Sequence, residues 1–81
     1  MKYFVYVLKS INFSKSYVGF TKDLENRLGE HNLGKAHFSQ KYAPWEVIYK
    51  EVFNDYKKAI LREKYLKSAS GRRLILKKLF K

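Results

Sequence analysis

Cysteine is absent from this 81-residue chain, and proline occurs once. No cysteine means no disulfide, no thiolate zinc centre and no cysteine nucleophile, so the fold must rest on packing alone. No apolar run comes near the ~20 residues of a membrane span. Acidic residues are scarce: 7 Asp and Glu stand against 18 Lys and Arg, for a formal net charge of +11. Self-repulsion of that size disfavours a compact chain unless an anionic partner offsets it. Nucleic acid is the first candidate partner and an anionic membrane surface the second, with a merely basic soluble protein as the plain alternative.

Hydrophobic content of 46% and aromatic content of 17% argue for a folded chain rather than a disordered one, and the length argues for a single domain over residues 1–81. The opening MKYFVYVLKSI has a basic start and an apolar run. The run is too short, and too rich in aromatic and β-branched residues, for a signal peptide. It reads as a strand, so a cytoplasmic location without membrane attachment is expected.

Lys2 to Lys9 is almost continuously apolar, the pattern of a strand covered on both faces. Asn12 to Lys15 is polar and turn-like, and Ser16 to Phe20 is a second short strand, so the pair predicts an antiparallel hairpin. Thr21 or Asp23 caps a helix reaching about Asn32, and Leu33-Gly34 reads as its stop. Gly29 weakens that helix by about 1 kcal/mol. Residues 35–44, KAHFSQKYAP, are basic and ambiguous, a loop with or without one helical turn. Pro44 forbids helix before a third strand, Trp45 to Phe53, whose broken alternation leaves one face partly wet. Asn54 or Asp55 caps a second helix to about Lys67. Ser68 to Gly71 reads as a break before a basic amphipathic helix over 72–81. The expected fold is α+β, a small three-stranded antiparallel sheet flanked by helices in β-β-α-β-α-α order.

Several polar residues fall on faces that should be apolar. On the first helix, Leu24 and Leu28 define the apolar stripe, and Arg27 and His31 lie inside it one turn apart. On the second, Tyr56, Ala59, Ile60 and Leu66 define an arc with Glu63 near its middle. A carboxylate there is costly unless paired or bound to a metal. An Arg27–Glu63 ion pair at the core edge is the plain explanation. The hairpin adds Tyr6 and Tyr17, which can meet across the strands with both hydroxyls on one face. Gly19 shares that face, where a missing side chain lets a phosphate come close.

The motifs FVY (4–6) and YVG (17–19), an arginine eight residues later and a glutamate on a later helix resemble the GIY-YIG nuclease family. The first motif departs from the family's, with Phe in place of its glycine. The run YVGFTKDLENRLGEHN is similar to small single-domain bacterial members and to the catalytic module of structure-specific, Holliday-junction-type nucleases. PWEVIYKEVF and AILREKYLKS carry the resemblance through most of the chain. It implies an endonuclease that hydrolyses the DNA backbone with one divalent cation, Mg²⁺ or Mn²⁺, in repair or recombination. Glu63 would be the metal ligand, and Tyr6 or Tyr17 would deprotonate or position the attacking water. Arg27 would stabilise the pentacovalent phosphate. His31 would hold a tyrosine or water, or protonate the leaving oxygen. Excision-repair members carry a lysine after the YIG glycine; Phe20 stands here instead, which groups the chain with the histidine-bearing branch.

The chemistry agrees from below. Arg27 and a metal can neutralise nonbridging oxygens, and Mg²⁺ tolerates sparse protein ligation. A tyrosine is a poor base at neutral pH, with its pKa near ~10, unless neighbouring cations lower that value. Lys35, Lys41, Lys67, Arg72 and Arg73, with Gly19, are the residues expected to meet the phosphate backbone, DNA more readily than RNA. No base-reading module is evident, so little sequence specificity is expected. The competing functions are a nucleic-acid-binding module that does not cleave, and a basic domain that needs a protein partner for activity or substrate specificity.

Overall fold

The computed structural model describes residues 1–33 and 41–79. Three strands form one antiparallel sheet: β1 (Tyr3–Ser10), β2 (Ser16–Thr21) and β3 (Trp45–Phe53), in the order β2-β1-β3. Three helices accompany it among the described residues: α1 (Leu24–Asn32), α2 (Tyr56–Lys67) and α3 (Ala69–Leu79). The order is the expected β-β-α-β-α-α.

The centre of the sheet falls to β1 because it carries the continuous apolar run. Val5, Tyr6, Val7 and Leu8 are all buried. Alternation splits them between two cores. On one face, Val5, Val7 and Val18 pack with Ala59 and Leu66 of α2 and Ile75 of α3. On the other, Tyr6, Leu8 and Trp45 pack with Tyr17 and with Leu24 and Leu28 of α1. Helices therefore cover both faces of the sheet.

The caps act where the sequence places them. Asp23 is the N-cap of α1, accepting from the Asn26 N–H, and Asp55 caps α2, accepting from the Lys57 and Lys58 N–H groups. Thr21 instead accepts from the Asp23 N–H at 3.1 Å, bracing the turn before the helix. At its far end α1 is tied to the sheet by Asn32. Its side chain accepts the Trp45 N–H at 2.5 Å and donates to the Trp45 carbonyl at 3.2 Å.

Two expectations need correcting. The break at Ser68 to Gly71 is a single residue, and α3 already begins at Ala69. Ser68 joins the helices: its hydroxyl donates to the Tyr65 carbonyl at 2.5 Å and accepts the Gly71 N–H at 3.2 Å. Gly71 is inside the helix because a Cβ there would collide with the Tyr65 carbonyl and the Leu66 backbone. The corner is tight, and only glycine fits it. The second correction concerns Tyr56. It stacks edge-on against Tyr3 and Phe20 but remains 54% exposed, at the rim rather than in the arc's core.

Candidate active site

The hairpin register sets the geometry of the two tyrosines. Tyr6 lies opposite Gly19 and Leu8 opposite Tyr17, so Tyr6 and Tyr17 are diagonal neighbours on one face, with ring centroids 6.3 Å apart. The Tyr6 phenol runs across β2 over Gly19, and a Cβ at Gly19 would overlap its hydroxyl. The room that the sequence reserves for a phosphate above Gly19 is thus filled by the Tyr6 ring. Gly19 serves packing within the site.

Helix α1 brings the remaining polar groups to that face. His31 is fully buried. Its Nε2 lies 3.2 Å from the Tyr6 hydroxyl, and its ring sits 4.6 Å from that of Tyr17. Burial, then the nearby Arg27 charge, lowers the His31 pKa below its ordinary value, against a smaller opposing effect of Glu30. The imidazole is therefore neutral at physiological pH. Arg27 donates to the Glu30 carboxylate, and the Tyr6 phenol, then Glu30 and the Tyr17 phenol, favour its charged form. The contact with Glu30 is an i, i+3 salt bridge of 3.0 Å, with about a third of each side chain exposed. Burial pushes the Tyr6 phenol up to about 12, although Arg27 opposes the shift.

Glu63 comes from the opposite face, on α2. Its carboxylate does not pair with Arg27 as the sequence allowed. It pairs with Lys67, Oε2 to Nζ at 3.2 Å, one turn along the helix. Its charge still reaches Tyr6 and contributes to raising that phenol's pKa. Among the described residues no three His, Asp or Glu side chains cluster. A divalent cation here would rest on the Glu63 carboxylate, 19% exposed, with water and substrate oxygens completing its shell. That donor set suits Mg²⁺, which keeps several waters and accepts one or two carboxylates.

A hollow of about 570 Å³ opens between the start of β2 and the α2–α3 corner, walled by Val18, Leu66 and Ile75; Tyr17 is the one member of the cluster that lines it, and Arg27, Tyr6, His31 and Glu63 do not. Lys15, Lys67 and Arg72 line it too. Tyr6 is 1% exposed and Tyr17 is half-buried, so Tyr17 is the more accessible of the two tyrosines. Of the expected backbone-binding residues, Lys67 and Arg72 line the hollow. Lys41 and Arg73 are exposed but outside it, and Lys35 falls outside the described residues.

Sequence reasoning missed Glu30, Asn32 and Lys15. Glu30 was detectable as the i, i+3 acid to Arg27. Asn32 could be read only as a helix end, because its partner is the backbone of a strand 13 residues away. The position of Lys15 follows from how α2 and α3 dock, which no local pattern encodes.

Comparison with known proteins places this geometry in a family. Residues 2–77 match the GIY-YIG catalytic domain, and such domains are generally nucleases that act on nucleic acid, typically with a divalent metal. A UPF0213 protein of Staphylococcus saprophyticus is 33% identical over 70 residues, spanning 85% of this chain and 84% of the relative. A UPF0213 protein of Streptococcus pyogenes serotype M1 is 35% identical over 72 residues, spanning 88% and 77%. The solution NMR structure of the UPF0213 protein BH0048 from Bacillus halodurans shares the fold, with a TM-score of 0.57 at 24% identity over 95% of this chain and 84% of that one. From the first strand to the last helix the agreement is continuous, and the chain belongs to the GIY-YIG catalytic domain family.

Proposed function

We propose that the protein is a divalent-metal-dependent endonuclease that hydrolyses the DNA backbone, in a repair or recombination setting. The observation that carries this reading is the gathering of Tyr6, Tyr17, His31 and Arg27 in one cluster, with Tyr6 hydrogen-bonded to His31 and Tyr17 also lining a basic hollow. A guanidinium held by the Glu30 carboxylate and set against two phenols is pre-aimed, so it can meet charge developing on a phosphate without reorganising.

The roles divide by exposure. Arg27 neutralises the nonbridging oxygens. Tyr17, facing the hollow, orients the attacking water. Tyr6 and His31 are too buried to touch substrate; they are positioning residues that fix Arg27 and Tyr17. Glu63 would hold the cation, which when bound supplies Lewis-acid polarisation of the phosphate and lowers the pKa of its water. Lys67 and Arg72 hold the flanking backbone. DNA is favoured over RNA by the family resemblance alone, and a protein partner could add substrate specificity.

A non-cleaving nucleic-acid-binding module is the rival reading, because the Lys67 ammonium already occupies one oxygen of Glu63. Branched, single-stranded and duplex DNA incubated with the protein and Mg²⁺ or Mn²⁺ separates the two. Cleavage is expected, and Glu63→Gln or Arg27→Ala should slow it by ~10²–10³-fold while binding changes far less. Wild-type cleavage no faster than that of Glu63→Gln, with binding retained, would establish the rival.

A further inference from the structure

The tip of the β1–β2 hairpin carries an aromatic residue that the proposed chemistry does not use. Phe13 is 49% exposed, and Ile11 beside it is 53% exposed. An exposed phenylalanine on a loose turn would mean little. This turn is anchored at several points. The Phe13 N–H donates to the Ser10 hydroxyl at 3.1 Å; Ser10 is fully buried and donates in turn to the Tyr42 carbonyl at 2.6 Å. The Ile11 N–H reaches the Pro44 carbonyl, and the Ser10 N–H the Lys15 carbonyl, each at 3.0 Å.

The ring itself is the outer end of an aromatic chain. Phe13 meets Tyr42 edge-on at 5.5 Å, and Tyr42 meets the buried Trp45 edge-on at 6.4 Å. Lys15 Nζ lies 5.4 Å from the centre of the Tyr42 ring, and exposed Lys41 precedes Tyr42 in sequence. Ser14 and Lys15, which follow Phe13 directly, line the hollow shared by Tyr17, Lys67 and Arg72. The tip and the hollow are one continuous surface.

We propose that Phe13 is a stacking platform for an unpaired nucleobase of a strand whose backbone lies in the adjoining hollow. The inference rests on the reading of the ligand as nucleic acid and adds a substrate class, strands with unpaired bases near the cut. The physical reason is pre-organisation. An aromatic face already held in place gives up little further freedom on binding, and base–aromatic stacking is sequence-tolerant because every base has a π-face. The cations beside it attract the accompanying phosphates. A membrane would also take an apolar tip, but two apolar side chains separated by Asn12 bury little area there.

The test uses the full chain without metal, so that cleavage does not intervene. A fluorescent unpaired deoxynucleotide oligomer and a hairpin duplex of equal charge are titrated by anisotropy. Phe13→Ala should weaken binding of the unpaired oligomer by roughly 5- to 150-fold, the range of one lost stack, with duplex binding unchanged. Phe13→Leu, which keeps apolar contact with Tyr42 but lacks a π-face, should be equally weak, and Phe13→Trp should restore affinity. Thermal midpoints of the variants check the turn. Equal losses on both ligands, rescue by Phe13→Leu, or wild-type affinity in Phe13→Ala would overturn the platform and leave the nuclease reading standing. No binding by the wild type to either ligand would overturn both readings. A Phe13→Ala defect confined to phosphatidylglycerol vesicles would assign the tip to membranes instead.

Discussion

Tyr6 and His31 are both buried, with the Tyr6 hydroxyl 3.2 Å from His31 Nε2. The fold resists protonation of His31. Its pKa is lowered, first by burial and then by Arg27. A histidine with a depressed folded pKa contributes stability that is complete above its unfolded value, about 6.5, and is lost as pH falls through that value towards the folded one. The thermal midpoint should therefore drop between pH 7.5 and 5 more steeply in the wild type than in His31→Gln, by about 4–8 °C for each kcal/mol of linkage. Carboxylates titrate in the same range in both proteins, so the difference between the two slopes is the measurement. Parallel slopes would mean that His31 takes up its proton as readily in the folded chain as in the unfolded one, so that burial does not resist its charging. From the sequence either phenol could face the substrate. In the structure Tyr6 is sealed beside His31 with its pKa pushed up to about 12, while Tyr17 is half-buried.

At the scale of elements, most of the chain was legible before the structure. The apolar run of β1, the hairpin spacing and the acidic caps Asp23 and Asp55 are local signals, and all three strands and α1 and α2 lie within a residue or so of where those signals put them. Arg27 and His31 were legible for the opposite reason, as charges in an apolar stripe. The α2–α3 corner was not legible. Ser68 and Gly71 have small side chains that read as a break, but their purpose is tertiary: one joins two helices and the other lets their backbones touch. Two glycines separate these effects. Gly71→Ala inserts a methyl group into the Leu66 backbone and should cost about 1–3 kcal/mol. Gly29→Ala meets nothing within 4 Å and should stabilise α1 by about 0.5–1 kcal/mol. Denaturant midpoints report both signs. A neutral Gly71→Ala would mean that the corner opens without cost, and that the hollow it walls is not rigid.

At the scale of the molecule, the net charge of +11 becomes a spatial statement. Lys15, Lys67 and Arg72 converge on one hollow, while Glu30 is engaged by Arg27 and Glu51 by Arg62 away from it, and Glu63 pairs with Lys67 of the hollow itself. A polyanion bound along that hollow displaces its condensed counterions, so the logarithm of affinity falls linearly with the logarithm of salt. With roughly three phosphates neutralised, the slope should be about −2 for an unpaired strand and nearer −3 for a duplex. Arg72→Ala should reduce its magnitude by about 0.7–0.9, because it deletes one cation at the hollow. Lys67→Ala should do less, since its ammonium is shared with Glu63 and removing it also frees a carboxylate to repel the strand. That asymmetry distinguishes a phosphate track from diffuse attraction. If charge acted only through the net total, both variants would shift the slope alike, and Arg73→Ala, outside the hollow, would shift it just as much.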